Sequence, residues 1–186
     1  MPKIKLNPAI SSISGSLGDI VFRRAGNGYV IICRKPDMSH VVHSPAQLAH
    51  QQRFRLAVHY AKGVFSDPER SCPYRQAGGS VYQRALADYM HPPVVEALDL
   101  TGYTGRPGDP LLVRARDDFE VVAVQLCLLD AAGTEIEQGP ALRDPAGGNW
   151  LYLAHAPVAP GSLVRVRATA TDRPGNSATL LAEKNL

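Results

Sequence analysis

Short apolar segments alternate with Gly and Pro turns through the second half of the chain, and this pattern predicts β-strands. The expected strands are residues 94–100, 111–116, 121–130, 134–138, 150–154, 163–171 and 178–182. Segment 163–171 alternates most strictly, with Val164, Val166, Ala168 and Ala170 on one face. One face of that strand is therefore expected in a core and the other in water. Seven such strands are typical of a β-sandwich.

The first half begins with a different pattern. Two apolar segments, residues 19–25 and 29–34, flank Gly26-Asn27-Gly28, which predicts a β-hairpin because Asn-Gly supplies the positive φ angles of a tight turn. Before the hairpin, residues 10–18 are small and polar with spaced apolar positions. This segment predicts either an edge strand or an arm that lies on another surface.

Helical spacing follows the hairpin. Ser44, Pro45 and Gln47 form a capping-box pattern, so a helix is expected to begin at Pro45 and to run to about Phe65. Its buried stripe is predicted at Phe54, Val58, Ala61 and Phe65. A second helix is expected over residues 80–90, ending before Pro92 and Pro93, and residues 66–73 are predicted as a loop.

Charge divides the chain at the same point as the hydrophobic pattern. Residues 1–92 hold 12 Lys and Arg against 5 Asp and Glu, whereas residues 93–186 hold 8 against 12. With 186 residues and 45% apolar content, the chain is long enough for two small domains and too apolar to be disordered. We therefore predict a basic domain, 1–92, and an acidic domain, 93–186.

A family resemblance lies at the end of the chain. Segment 166–177, with Ala-Thr-Asp-Arg-Pro-Gly-Asn after its alternating residues, resembles the penultimate strand and last hairpin of bacterial immunoglobulin-like and fibronectin type III-like modules. In those modules the motif is Ala-x-Asp-x-x-Gly-Asn. The resemblance covers about residues 93–186 and implies an immunoglobulin-like β-sandwich without implying a function.

The first half resembles small bacterial and phage-associated proteins, through segments 14–23 and 34–37 and the Gln- and Arg-rich helix. The predicted fold class is accordingly α+β. An N-terminal β-hairpin with a two-helix module precedes an all-β immunoglobulin-like sandwich.

The residues that could carry catalytic or metal-binding chemistry do not change this fold prediction. The cysteines Cys33, Cys72 and Cys127 are too widely spaced for a metal knuckle or a disulfide framework. No nucleophile motif or nucleotide-binding glycine pattern is present, so no catalytic, cofactor-binding or metal-ligating residue is predicted and no small-molecule substrate is inferred. An alternative is calcium binding by turn residues of the sandwich, and its candidates are Asp117, Asp118, Asp130, Asp172 and Asn176.

These observations favour a non-enzymatic structural protein, a homo-oligomer that forms a bacterial or phage-like filament or particle. The basic half would meet the acidic sandwich of the next copy, head to tail. An apolar N-terminal arm would add a strand to a neighbouring sheet. The predicted arm contacts are Ile4, Leu6, Ile10, Ile13 and Leu17.

The alternative is sequence-independent nucleic-acid binding by the basic half. Its predicted basic face consists of Arg23, Arg24, Arg34, Lys35, Arg55 and Lys62. A third arrangement also stays open, in which the opposite charges cancel within one compact monomer.

No apolar segment resembles a signal peptide or a membrane span, so we expect synthesis in the cytoplasm and no membrane partner. The final location stays open and includes an extracellular or virion-like assembly.

Overall fold

The computed structural model describes residues 3–5, 13–25, 29–37, 39, 41–144 and 148–186, with residues 3–5 described by their backbone alone. The three helices in this part of the chain are α1 (Pro45–Ser66), α2 (Pro68–Gln76) and α3 (Val81–Met90). The strands are β1 (Lys3–Lys5), β2 (Gly15–Leu17), β3 (Ile20–Arg24), β4 (Tyr29–Arg34), β5 (Val94–Asp99), β6 (Pro110–Arg116), β7 (Val121–Leu129), β8 (Glu135–Pro140), β9 (Leu142–Arg143), β10 (Asn149–Leu153), β11 (Leu163–Asp172) and β12 (Ser177–Asn185). The predicted α+β class is confirmed.

The chain divides into two compact units, residues 1–47 and 48–186, which we call the N-terminal and C-terminal units. The boundary predicted at residues 92 and 93 coincides with the change from α3 to β5, inside the C-terminal unit. Helices and strands of that unit share contacts, since the ring of Tyr74 on α2 stacks on that of Phe119, which follows β6, with centroids 4.5 Å apart.

The N-terminal unit contains an antiparallel sheet with the strand order β1-β4-β3-β2. The hairpin predicted by the Asn-Gly turn is present, because β3 pairs with β4 from Ile20 opposite Arg34 to Arg24 opposite Val30. Residues 26–28 of the turn lie outside the described part. Among the side chains described in this unit, Val30 alone is buried.

Helix α1 begins where the capping box predicts. The backbone N–H of Ser44 donates to Gln47 Oε1 at 2.8 Å, and the N–H of Gln47 donates back to Ser44 Oγ at 3.3 Å. The predicted buried stripe is wrong in part, since Phe54 and Phe65 are exposed. The buried positions are Ala57, Ala61 and Val64, which lie at i, i+4 and i+7 on an adjacent face.

Helix α2 corrects the loop predicted over residues 66–73. Asp67 caps the helix by accepting hydrogen bonds from the N–H groups of Glu69 and Arg70, and Pro68 occupies the first helical position. Pro73 lies inside the helix, where its ring removes one intrahelical hydrogen bond. The sequence Asp67-Pro68 is a helix start signal that the predicted loop did not take into account.

Strands β5 to β12 form two antiparallel four-stranded sheets, which we call the two-sheet module. Their strand orders are β5-β6-β10-β9 and β12-β11-β7-β8. Both sheets contribute side chains to one hydrophobic core, with Leu111 and Tyr152 from the first sheet and Leu128 and Val166 from the second. The alternation predicted for β11 is confirmed, because Val164, Val166, Ala168 and Ala170 are fully buried.

Candidate functional site

Three carboxylates meet inside the C-terminal unit, on elements far apart in sequence. Asp88 lies on α3, Asp117 in the loop between β6 and β7, and Asp172 at the end of β11. One oxygen from each lies within 4.8 Å of the others. Asp88 and Asp172 are 1% and 2% exposed, whereas Asp117 is partly buried. We call these residues the carboxylate cluster.

The position of Asp172 follows from the strand that carries it. Side chains at alternate positions of β11 point into the core, and Asp172 is the next position after Ala170 in that inward row. A register shift between Thr171 and Asp172 marks the same point, where Asp172 lies opposite Val121. The core-facing row therefore ends in a carboxylate instead of an apolar side chain.

Asn176 holds the carboxylate of Asp172 in place. The Asn176 N–H donates to Asp172 Oδ1 at 2.6 Å, and its side-chain Nδ2 donates to Asp172 Oδ2 at 2.7 Å. The same Nδ2 also lies 3.3 Å from the carbonyl oxygen of Tyr89 on α3. The Asp-x-x-Gly-Asn motif thus connects the last hairpin of the two-sheet module to the helix that carries Asp88.

Asp88 is held from the helical side. It lies three residues after Ala85 on the buried face of α3, and the Tyr74 hydroxyl donates a hydrogen bond to its Oδ2. The hydroxyl of Tyr60 on α1 lies 3.0 Å from that of Tyr74. Since Tyr74 uses its proton for Asp88, Tyr60 donates to Tyr74, and a hydrogen-bonded chain runs from α1 through α2 to the cluster.

Asp117 is oriented by its own loop. Its Oδ2 accepts the N–H groups of Phe119 at 3.0 Å and Glu120 at 2.9 Å, an arrangement in which an Asp side chain takes the place of a backbone acceptor. The other oxygen, Asp117 Oδ1, is buried without a hydrogen-bond donor, and so is Asp88 Oδ1. These two carboxyl groups can hydrogen-bond to each other only when one of them holds a proton, and this contact adds to the raised pKa of Asp88. Buried carboxylate oxygens are normally paired, so these two mark an incomplete set of interactions.

The electrostatics of the cluster oppose full ionisation. Burial raises the pKa of Asp88 to about 7, with smaller upward contributions from the charges of Asp117 and Asp172, while the hydrogen bond from Tyr74 opposes the shift. Burial also raises the pKa of Asp172, against the hydrogen bonds from Asn176. Burial and the contact with Asp88 raise the pKa of Tyr74, which stays protonated as a donor. The cluster needs a proton or a cation to balance its charge.

The sequence predicted part of this site, because the calcium candidates Asp117, Asp172 and Asn176 lie together in the structure. The other two candidates lie elsewhere. Asp118 is 2.7 Å from His91, and Asp130 accepts the N–H of Thr134 in its own turn. Asp88 was missed. Two signals pointed to it: it is the only acidic residue in the predicted helix 80–90, and it lies one turn beyond Ala85.

The predicted arm contacts fall partly within the described residues. Lys3–Lys5, which contains Ile4, pairs with β4 of the same chain, with Ile4 opposite Val30. Leu17 is the last residue of β2 and is 72% exposed, whereas Ile13 is partly buried. Leu6 and Ile10 lie outside the described residues. The described part of the arm thus supplies both edge strands of the N-terminal sheet.

The predicted basic face is divided between the two units. Arg23, Arg24, Arg34 and Lys35 belong to the N-terminal unit, whereas Arg55 and Lys62 lie on α1 in the C-terminal unit. All six side chains are exposed, and within the described residues none of them forms an ion pair. Asp19 and Asp37 border the same surface depression as Arg34 and Lys35, which reduces the net positive charge there.

Comparisons with known proteins give no relative from which a role can be transferred. No family model matches the chain, and neither a curated protein nor a solved structure matches it. Among the described residues, no helix is both long and apolar enough to span a membrane.

Proposed function

We propose that this chain is a non-enzymatic structural subunit that assembles with copies of itself into a filament or particle. The observation that carries the proposal is the poor burial of the N-terminal unit. Its described side chains include a single buried one, Val30, while Leu17, Ile20 and Tyr29 are exposed. A short sheet that buries so little apolar surface gains little stability alone, so a partner surface is expected to cover it.

A second exposed surface supports the same proposal. Along α1 the large apolar side chains of Phe54 and Phe65 are 46% and 64% exposed, and Val58 between them is only partly buried. These three residues are close together on the helix surface because their spacing is three to four residues or a multiple of it. Exposed phenylalanine side chains beside another apolar residue are typical of protein interfaces.

The strand order supports an immunoglobulin-like fold for the two-sheet module. If β5 to β12 are assigned in order to strands A, B, C, C′, D, E, F and G, the two sheets have the orders A-B-E-D and G-F-C-C′. Immunoglobulin domains pair their strands in this way. We infer that this module provides the acidic body of the subunit, on which the basic half of the next copy docks.

Light scattering and negative-stain imaging of the purified chain, at low and high salt without nucleic acid, test the proposal. We expect large regular objects that depend on salt, since opposite charges steer the head-to-tail contact. Removal of residues 1–17 is expected to abolish the assemblies and to leave the C-terminal unit folded. A chain that is monomeric at every salt and protein concentration overturns self-assembly, and a truncated chain that assembles normally overturns the role of the arm.

A matched pair of variants separates the arm surface from a loss of folding. Leu17 and Ser16 are adjacent in β2 and both are exposed. Leu17→Asp places a charge on the proposed contact, whereas Ser16→Asp places the same charge on the opposite face of the strand. We expect Leu17→Asp to reduce assembly much more than Ser16→Asp does.

The second candidate is sequence-independent nucleic-acid binding, which is favoured by the exposure of Arg23, Arg24, Arg34 and Lys35 on the N-terminal unit. Binding by phosphate contacts alone weakens steeply with salt and does not depend on sequence. Fluorescence anisotropy with two unrelated oligonucleotides at 50 and 200 mM salt tests this candidate. Equal affinities that fall at least about tenfold between these salt concentrations favour it over self-assembly alone.

A further inference from the structure

The carboxylate cluster places three acidic side chains around one point in the interior of the C-terminal unit. We propose that Asp88, Asp117 and Asp172 bind a hard divalent cation, of the class of Ca²⁺, Mg²⁺ or Mn²⁺. This inference is independent of self-assembly, because every residue it uses lies within residues 48–186. It departs from the expectation, drawn from the sequence, that the chain holds no metal.

The free oxygens carry the argument. Asp88 is 1% exposed. Its Oδ2 accepts the hydrogen bond from Tyr74, whereas no donor contacts its Oδ1. Asp117 repeats the arrangement, with Oδ2 occupied by backbone N–H groups and Oδ1 free. On each residue the protein satisfies one oxygen and leaves the other available. A bound cation supplies the missing partner for both without the shared proton that the Asp88–Asp117 contact otherwise needs. Asp172 differs, because both its oxygens accept hydrogen bonds from Asn176, and it would bind the cation through a remaining lone pair.

The uncompensated negative charge of the carboxylate cluster also favours a bound cation. Among the described residues, no Lys, Arg or His forms an ion pair with Asp88, Asp117 or Asp172. The nearby arginines Arg143 and Arg173 contact Glu120 instead. Two buried carboxylates and a partly buried one are costly without a counterion, and a divalent cation removes most of that cost.

The donor set identifies the class of ion. All three ligands are carboxylate oxygens, and the described part of the chain brings no His or Cys into the cluster. Oxygen-only sites suit hard cations, whereas Zn²⁺ and Cu²⁺ favour nitrogen and sulfur ligands. A surface cavity of about 220 Å³ is lined by Asp117, Phe119 and Trp150 among others, and Asp117 is the one member of the cluster that borders it.

The bound ion would act as a structural link. Its ligands come from α3, the β6–β7 loop and the end of β11, so one ion connects the helices to both sheets of the two-sheet module. A ligand that binds the folded chain and not the unfolded one stabilises the folded chain by an amount that grows with the logarithm of the ligand concentration. The cation is therefore expected to raise the stability of the whole C-terminal unit.

The test uses the full-length chain after dialysis against a chelator. Thermal unfolding is followed with 10 mM Ca²⁺, Mg²⁺ or Mn²⁺ and with a matched concentration of Na⁺, and isothermal titration calorimetry gives the stoichiometry. We expect one ion per chain and, at a concentration about 100 times the dissociation constant, an increase in Tm of about 5–10 °C. The proposal is overturned if none of the three cations binds or raises Tm above the Na⁺ sample.

Two isosteric variants test whether the cation binds at the carboxylate cluster. Asp117→Asn removes one ligand charge, whereas Asp118→Asn makes the same change at the next position, where the exposed side chain contacts His91 instead. We expect Asp117→Asn to weaken the measured affinity at least about tenfold, because even groups outside the coordination shell are worth that much. Asp118→Asn is expected to keep the wild-type affinity. Equal losses in both variants place the ion elsewhere and contradict the assignment.

Discussion

The two units of this chain use their apolar residues in opposite ways. The C-terminal unit buries a continuous core between two sheets, with Leu111, Leu128 and Val166 fully enclosed. The N-terminal unit arranges apolar residues in a four-stranded sheet but encloses only Val30 among its described side chains. The described side chains of the N-terminal sheet thus enclose little apolar surface, so we expect the stability of this unit to depend on what covers it. We expect the C-terminal unit, which encloses a core, to fold by its own contacts.

The largest expected loss of stability comes from a Leu→Ala substitution, made once in each unit. Leu128→Ala removes a fully buried side chain from an inner strand and is expected to lower the free energy of unfolding by about 3 kcal/mol. Leu17→Ala makes the same change on the N-terminal sheet, where the side chain is exposed, and is expected to cost less than about 0.5 kcal/mol. Urea unfolding, followed by circular dichroism, measures both. Equal losses would show that Leu17 is packed as closely as Leu128 and would contradict the difference in burial between the two units.

The pH dependence of stability is expected to distinguish the two units, because the carboxylate cluster lies in the C-terminal unit. Asp88 faces Tyr74 from α2, Asp117 from the β6–β7 loop and Asp172 from β11, and burial raises its pKa to about 7. A carboxyl with a raised pKa holds its proton more tightly in the folded chain than in the unfolded one, so stability falls as pH rises. In excess chelator we expect the C-terminal unit to lose about 3 kcal/mol between pH 4 and pH 7.

Urea unfolding at several pH values measures this slope, and Asp88→Asn is the matched variant because it keeps the shape of the side chain without titrating. The variant is expected to be less sensitive to pH over the same range. If wild type and Asp88→Asn show the same slope, another group is responsible.

A smaller loss is expected when the hydrogen-bond donor to the cluster is removed. Tyr74→Phe leaves Asp88 without its partner at Oδ2 and is expected to cost about 1.5 kcal/mol. Tyr60→Phe removes the outer hydroxyl of the same chain and leaves the bond to Asp88 intact, so a smaller cost is expected. Thermal unfolding at pH 7 compares the two. A larger loss for Tyr60→Phe contradicts the direction of donation assigned above.

Local patterns predicted most of the elements. The alternation of β11, the capping box at Ser44 and the Asn-Gly turn each depend on residues close in sequence, and the corresponding strand, helix start and hairpin are present. The cluster depends on residues 29 and 55 positions apart, from Asp88 to Asp117 and from Asp117 to Asp172. No local pattern specifies that α3 packs where these meet. The alternation of β11 predicts only that Asp172 faces the core, because the inward-facing row of this strand extends to Asp172.

Helix α2 shows how a local signal can be outweighed by another. Asp67-Pro68-Glu69 is a helix start, with an N-cap residue, a proline at the first position and an acidic residue in the first turn. Pro73 opposes this signal, because proline disfavours helix interiors. The helix persists because tertiary contacts support it, with Ser71 and Tyr74 buried on its inner face. Tyr74 in turn places the donor for Asp88, so the cap lies at the start of the element that supports the cluster.

The smallest expected effect tests this cap. Asp67→Ala removes the oxygen that accepts the N–H groups of Glu69 and Arg70, and we expect a loss of about 1 kcal/mol in the free energy of unfolding. Asp67→Asn keeps an acceptor oxygen at the same place and is expected to recover most of the loss, since Asn is as good an N-cap as Asp. Urea unfolding of the two variants decides between capping and charge. If the Asp67→Asn variant is as unstable as the Asp67→Ala variant, the negative charge near the helix start stabilises α2, and the hydrogen bonds do not.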